Sequence, residues 1–317
     1  MKALVTGAAG FIGSTLSELL LQHGYDVRGV DCFTRYYDGE TKRANLAVAM
    51  RDEHYEFLEV DLSSADLGAA VDNVDVVFHL AGQPGIRASW DRRFAEYVQH
   101  NIVATQRLLE ACVGSAIGRF VYASSSSVYG DDAAMPAVEE QLPRPHSPYG
   151  VTKLAGEQLC GVYDENFGVP TVALRYFTVY GPRQRPDMAI HRVIESVLAG
   201  ERFELFGTGD QIRDFTFVGD VARATRLAAE MPRDAAGTVM NVAGGSAAKM
   251  NELLEMIGVS VGRPVKVERL AEQAGDVRRT EGSIERARAM LGWKPEVDLQ
   301  AGIAAQVEWH LRRREGR

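Results

Sequence analysis

Cysteine is scarce. The chain has three in 317 residues, Cys32, Cys112 and Cys160, odd in number and far apart. That spacing argues against a disulfide framework and against a zinc site, and a reducing, cytoplasmic setting is expected. No apolar run approaches the ~20 residues of a membrane span. The opening Met1-Lys2-Ala3-Leu4-Val5-Thr6-Gly7 reaches glycine too soon for a signal peptide, so no membrane partner is expected. Positive charge is also short, with 35 Lys and Arg against 43 Asp and Glu for a net of −8. A nucleic-acid partner is disfavoured by that balance. The seven histidines are scattered, none paired at helical metal-ligand spacing, and no metal is expected. What remains is ordinary globular composition, 46% hydrophobic and 25% charged. At this length it is enough for a large core in one or two domains.

The first half alternates strand and helix. Apolar strands are read at residues 2–6, 27–30, 56–60, 74–80, 120–124 and 171–175. Helices are read at 11–23, about 92–114 and 148–167, the last opening on Pro148. Such alternation implies βαβ units and a parallel sheet. Past residue 176 the pattern changes to helices at 188–200 and 221–230 and short strands at 203–206, 215–218 and 239–242. The predicted fold class is α/β, a Rossmann-type doubly wound parallel sheet with a smaller, discontinuous α/β lobe. Residues 1–178, with a return segment at about 215–242, form the first part; 179–214 and 243–317 form the lobe.

Gly7-Ala8-Ala9-Gly10-Phe11-Ile12-Gly13 lies between the first strand and the first helix. Glycines there allow a tight turn, close approach to a pyrophosphate and close helix packing. The helix N-terminus offers N–H groups to the phosphates. Asp31 ends the next strand, 18 residues past Gly13, where a ribose-binding carboxylate belongs. Its charge would repel a 2′-phosphate, and Cys32 follows where an arginine would have favoured NADP, so NAD is preferred. Asp61 and Leu62 are candidates to flank the adenine, with helix capping the other reading of Asp61.

Tyr149 and Lys153 stand four apart on a helix and share a face. An ammonium beside a phenol should lower the phenol's pKa and make it a competent base for an alcohol. The run Ser124-Ser125-Ser126-Ser127-Val128-Tyr129-Gly130 follows a strand, at the strand end where ligands bind in open α/β sheets.

These motifs, with Leu80-Ala81-Gly82, Asn101, the stretch 174–183 and Gly209-Asp210-Gln211-Ile212-Arg213-Asp214-Phe215, resemble the extended short-chain dehydrogenase/reductase family. Within it they resemble the nucleotide-sugar epimerase, dehydratase and decarboxylase branch. The resemblance implies that Tyr149 is the base, that Lys153 holds the nicotinamide ribose, and that Ser125 bonds the reacting oxygen. It implies cofactor contacts from Leu80, Ala81, Gly82, Asn101 and Tyr176. It also implies UDP-sugar contacts from Arg192, Arg213 and Arg278, guanidinium groups suiting a pyrophosphate.

Two departures narrow the branch. Ser126 and Ser127 stand where dehydratases carry an acid pair and where decarboxylases carry a glutamate, so water elimination is disfavoured. Thr178 replaces the usual asparagine. With Gly181-Pro182-Arg183-Gln184-Arg185-Pro186-Asp187-Met188-Ala189 and Tyr36-Tyr37-Asp38, it is similar to UDP-glucuronate 4-epimerases. By that resemblance Arg185, Thr178 and Ser127 hold the C6 carboxylate; pairing of Arg185 with Asp187 is the alternative. The expected activity is NAD-dependent 4-epimerisation of UDP-glucuronate to UDP-galacturonate. A UDP-glucose 4-epimerase, a UDP-glucuronate decarboxylase, a net oxidoreductase and a non-catalytic dinucleotide sensor are the alternatives. The long helices near 92–114 and 148–167 resemble a four-helix homodimer interface in this family, or else are buried core.

Overall fold

The computed structural model describes residues 1–131, 133–271 and 277–315. Seven strands make one parallel sheet: β1 (Lys2–Thr6), β2 (Asp26–Asp31), β3 (Tyr55–Glu59), β4 (Val76–His79), β5 (Arg119–Ser125), β6 (Thr171–Tyr176) and, after three strands placed elsewhere, β10 (Thr238–Val242). Their order is β10-β6-β5-β4-β1-β2-β3. Every residue of β4, β5 and β6 is buried, while the edge strand β3 is not. This matches their sequences, near-continuous apolar runs against alternating ones. The chain winds one way from β1 through β2 and β3 and the other way through β4, β5, β6 and β10. The β1/β4 boundary is therefore the topological switch point, where such sheets open a crevice beyond their strand ends.

Each sheet face carries its own apolar layer. Leu16 and Leu20 of the helix Phe11–Gln22 and Val221 and Ala224 of the helix Val218–Ala229 cover one face. Leu108, Leu109, Cys160 and Tyr163, from the helices Ala104–Cys112 and Pro148–Phe167, cover the other. The second of these is bounded as its sequence dictates. The Ser147 hydroxyl accepts from the Gly150 N–H, Pro148 occupies the first turn, and Gly168 closes the helix in the left-handed conformation at φ 67°. The helix expected near 92–114 is present as one unbroken helical run over 94–112, preceded by a short 3₁₀ turn, Asp91–Arg93. A π-helical turn, Val98–Val103, sits between Phe94–Tyr97 and Ala104–Cys112.

Three strands not expected from the sequence complete the smaller sheets. They are β7 (Thr178–Tyr180), β11 (Ala247–Lys249) and β12 (Lys266–Leu270), too short or too charged to show a period. β9 (Ile212–Phe217) lies between β11 and β7, and β12 pairs with β8 (Arg202–Phe206). A third apolar cluster, with Ile194, Phe203, Leu253 and Ile303, holds this part together. Among the described residues no helix is long and apolar enough to cross a membrane.

Candidate active site

A cleft opens at the switch point. Its first wall is the glycine turn. Gly7 has φ +70°, and a Cβ there would come within 2.9 Å of the Ala81 backbone nitrogen; at Gly13 a Cβ would meet the Gly7 carbonyl oxygen at 2.1 Å. Only glycine lets this turn and the start of the Phe11–Gln22 helix pack so closely. Gly10 caps that helix without a side-chain hydrogen bond, which leaves the N-terminus open to an anion. Phe11, Ile12 and Gly13 line the cleft beside it.

Asp31 is buried at the end of β2. Its carboxylate accepts from the Ala9 N–H (3.2 Å) and the Phe33 N–H (2.8 Å), and Lys42 Nζ lies 3.9 Å away. Asp61 and Leu62 form the next part of the wall. The Asp61 carboxylate also accepts from the Ser63 N–H (2.9 Å) and hydroxyl (2.7 Å), so it caps its own turn while lining the cleft. Those bonds hold its pKa below the usual carboxylate value against the cost of burial.

Leu80, Ala81, Gly82, Asn101 and Tyr176 line the same cleft, together with Tyr149 and Lys153. Asn101, on the π-helical turn, does more than face it. Its Oδ1 accepts from the Gln83 N–H (2.6 Å), and its Nδ2 donates to the Gln83 carbonyl (3.0 Å) and the Thr152 hydroxyl (2.9 Å). It thus ties the loop after β4 to the helix bearing Tyr149 and Lys153. Tyr176 is buried, with its hydroxyl 2.7 Å from that of Thr225.

The Tyr149 pKa runs opposite to the sequence expectation. Burial raises it, and hydrogen bonding with Ser125 and the Arg185 charge only partly oppose that. Lys153 is buried with its ammonium 4.5 Å from the Tyr122 ring centroid. Burial pulls its own pKa down to about 8. In the chain alone, desolvation of the phenol outweighs any help from the lysine. The serine run sits on a pedestal that sequence reading missed. Glu157 is buried, accepts from Arg175 Nε (2.9 Å) and Nη2 (2.8 Å), and also accepts from the Ser124 hydroxyl. Ser125 is buried and its hydroxyl accepts from the Ser127 N–H (3.1 Å), while Ser126 and Ser127 are half-buried in the following 3₁₀ turn.

The substrate-side residues divide. Arg185 lines the cleft together with Tyr36 and Tyr37, and it pairs with Asp187 through Nε (3.0 Å) and Nη2 (3.1 Å). The alternative partner named from the sequence is therefore present. Thr178 begins β7, which follows β6 after one residue. Arg213 and Arg278, 65 residues apart in sequence, lie on adjoining backbone: the Ile212 N–H donates to the Arg278 carbonyl at 3.0 Å. Arg192, on the helix Ala189–Ala199 beside buried Ile190, Val193 and Ile194, pairs with Glu204 at 3.2 Å and borders a shallow hollow of its own.

Two further groupings depend on tertiary contact. Tyr97 is fully buried, donates to the loop carbonyls of Pro84 and Gly85 (both 2.7 Å) and sets its ring edge toward Tyr149, 6.2 Å between centroids. His191, Glu195 and His310 also converge, with His310 and Arg314 both on the Glu195 carboxylate (2.5 and 2.6 Å). This joins the helices Ala189–Ala199 and Leu299–Glu315 outside the cleft. No sequence spacing announces a pairing across 115 residues.

Comparison with known proteins agrees with this geometry. Residues 3–243 match the family described as "NAD dependent epimerase/dehydratase family". The chain is 42% identical to an uncharacterized UDP-glucose epimerase, YtcB, of Bacillus subtilis (strain 168), over 98% of each chain. It is 34% identical to a UDP-glucuronate 4-epimerase of Thermodesulfobacterium geofontis (strain OPF15), over 96% of this chain and 95% of that one. Among solved structures it is similar to the UDP-glucuronic acid 4-epimerase of Bacillus cereus in complex with UDP-glucuronic acid and NAD. There the TM-score is 0.96 at 42% identity, covering 98% of this chain and 99% of that chain.

Proposed function

The chain belongs to the NAD-dependent epimerase/dehydratase family, and from that premise we propose that it interconverts UDP-glucuronate and UDP-galacturonate by epimerisation at C4. One observation carries the reading: the glycine turn, Asp31, the Tyr149/Lys153 pair and Arg185 all wall one cleft.

The cleft fits NAD. The uncapped helix N-terminus and the Gly7–Gly13 cradle suit a pyrophosphate, and the Asp31 carboxylate suits a ribose with a free 2′-hydroxyl. Lys153 and Tyr149 line the same cleft and would hold the nicotinamide ribose. Bound there, NAD supplies the reversible hydride acceptance that a change of configuration at C4 requires. The chain's own residues handle the proton. Tyr149 takes it from the C4 hydroxyl and later returns it, with Ser125 bonding the same oxygen. Burial that raises the phenol's pKa makes its phenolate a stronger base. A charge gained nearby on ligand binding, together with Ser125 and Arg185, opposes that rise. The Glu157–Arg175 pair holds Ser124, and with it the serine run, against the helix that carries Tyr149.

On the sugar side, Arg185 with Thr178 and Ser127 binds the C6 carboxylate, and Arg213 and Arg278 bind the pyrophosphate. Sugar oxidised at C4 is a β-keto acid. Holding its carboxylate out of line with the carbonyl π system prevents loss of CO2. With serines at 126 and 127, no acid is placed to expel water. We read residues 179–214 and 243–317 as the sugar-nucleotide lobe and the remainder as the cofactor part. A homodimer through the two long helical segments is supported by Val151 and Val162, three turns apart on the Pro148–Phe167 helix and both half exposed. Light scattering should find a dimer that Val151→Asp with Val162→Asp reduces to monomer.

The deciding experiment is an NMR time course of the purified protein with UDP-glucuronate and no added cofactor. UDP-galacturonate signals should grow to equilibrium. UDP-pentose as the main product, turnover of UDP-glucose alone, or release of NADH would each replace this reading.

A further inference from the structure

We propose that Asp187 and Tyr36 are positioning residues that aim Arg185, and that they set how strongly the site prefers a uronate over a neutral hexose. The inference rests on the reading that Arg185 meets the C6 carboxylate.

The backbone around Arg185 is pinned from several sides. Arg183 reaches Glu18 of the Phe11–Gln22 helix at 2.7 Å. Gln184 donates to the Val179 carbonyl (3.1 Å) and accepts from the His191 N–H (3.0 Å) and from Gln306 (2.9 Å). The Arg185 carbonyl accepts from the Met188 N–H at 3.1 Å, closing a turn. None of this fixes the side chain, which has four soft torsions between backbone and guanidinium. Asp187 does so. It engages one edge of the guanidinium, Nε and Nη2, at 3.0 and 3.1 Å. Tyr36, from the loop after β2, donates its hydroxyl to Asp187 Oδ2 at 3.1 Å and sets its ring 5.9 Å from the guanidinium carbon.

A guanidinium carries five donors in a plane. The side-on pairing uses two, and the end-on fork of Nη1 and Nη2 is not used by it. Asp187 therefore fixes the plane of the fork, and a second carboxylate can take it in a bidentate fashion. Arg185, Tyr36 and Tyr149 all wall the same cleft, and the Arg185 charge acts on Tyr149. A fork aimed beforehand does not lose its torsional freedom when the ligand arrives, and that is where preorganisation adds affinity.

Asp187 has an opposite effect as well. It stays ionised, its pKa held below the usual range by Arg185 and Tyr36 against partial desolvation. The pair is thus close to neutral, and removing Asp187 would bare a cation that attracts any anion. Aim and charge predict opposite signs, so the experiment separates them. Our proposal is that aim dominates, because the pair is partly exposed, at 21% and 36%, and solvent screens the charge.

Binding of UDP-glucuronate and of UDP-glucose would be measured by calorimetry on the NAD-loaded protein carrying Tyr149→Phe, which prevents turnover. Asp187→Ala should lower the preference for the uronate about tenfold and Tyr36→Phe about threefold, with UDP-glucose affinity unchanged as the control for folding. Asp187→Asn, which keeps an acceptor, should fall between Asp187→Ala and the parent. In an Arg185→Ala background neither change should have a further effect. An unchanged or increased preference in Asp187→Ala, or an equal loss without Arg185, overturns the positioning role. If Arg185→Ala alone leaves the preference intact, the carboxylate assignment fails and this inference with it. If Arg185→Ala removes the preference while Asp187→Ala and Tyr36→Phe retain it, only the positioning role fails.

Discussion

Replacing Gly13 by alanine adds one methyl group, and its consequence can be worked from the contact it would make. The new Cβ would lie 2.1 Å from the Gly7 carbonyl oxygen and 2.8 Å from its carbon. Ordinary carbon–oxygen contacts are near 3.3 Å, so the turn and the helix start must part by about 1.2 Å. Neither side can yield by a rotamer change, since the struck atoms are backbone. Overpacking of this kind costs ~1–3 kcal/mol. Much of that strain is relieved by opening the turn that would hold the pyrophosphate, so NAD affinity should fall roughly 10–100-fold. Gly161 provides the counter-test. It lies on the exposed face of the Pro148–Phe167 helix, and a Cβ there meets nothing within 4 Å. Gly161→Ala should stabilise the fold by ~0.5–1 kcal/mol through helix propensity. The assay is urea unfolding of each variant together with the NAD content of the purified protein. Gly13→Ala with full NAD content and an unchanged midpoint would refute the cradle argument.

Other outcomes follow from the same structure. Arg185→Ala and Ser127→Glu, incubated with UDP-glucuronate, should each raise the fraction of UDP-pentose found by NMR; no rise in either removes the idea that carboxylate grip restrains decarboxylation. His79 is fully buried between the hydroxyls of Thr6 (2.8 Å) and Thr105 (2.9 Å), and burial, then the Lys153 charge, pushes its pKa down to about 3. An unfolded histidine takes up its proton near 6.5, so this contribution to stability is full above pH 6.5 and is lost as pH falls toward 3. The loss is on the order of 2 kcal/mol at pH 5. His191, pushed down to about 4, acts in the same direction. Urea midpoints at pH 7 and 5 test this, and His79→Asn should flatten the slope between them. Glu157→Gln breaks the buried pair with Arg175 and should cost ~3–5 kcal/mol in urea unfolding. Replacing both Glu157 and Arg175 by apolar residues should cost less than that.

How much was legible in the sequence depends on the range over which each signal acts. The strands of the large sheet were read within a residue or two, because buried parallel strands are apolar throughout. β7, β11 and β12 were missed, since three to five residues with exposed or charged positions carry no period. The residues assigned to the cofactor were legible as a group because they sit in short local motifs, at strand ends or one turn apart on a helix. All fifteen of those named from the sequence line the cleft. That Arg192 borders a hollow of its own was not legible, because which way a helical residue faces depends on what packs behind it. The Tyr149 pKa was misjudged for a related reason. A Tyr–Lys spacing of four is visible in sequence, but the depth to which the phenol is buried is not.

By itself, then, the sequence determined the α/β class, the glycine turn with Asp31, and the Tyr149/Lys153 pair. These rest on backbone conformation and helical spacing, which neighbouring residues control. Only the tertiary structure decided that Asn101 staples the β4 loop to the helix bearing Tyr149 and Lys153 and that Glu157 and Arg175 support the serine run. It likewise decided that Tyr36 and Asp187 together grip Arg185. Each of those contacts joins residues from separate elements, where side-chain direction and burial are set by the packing of the whole chain.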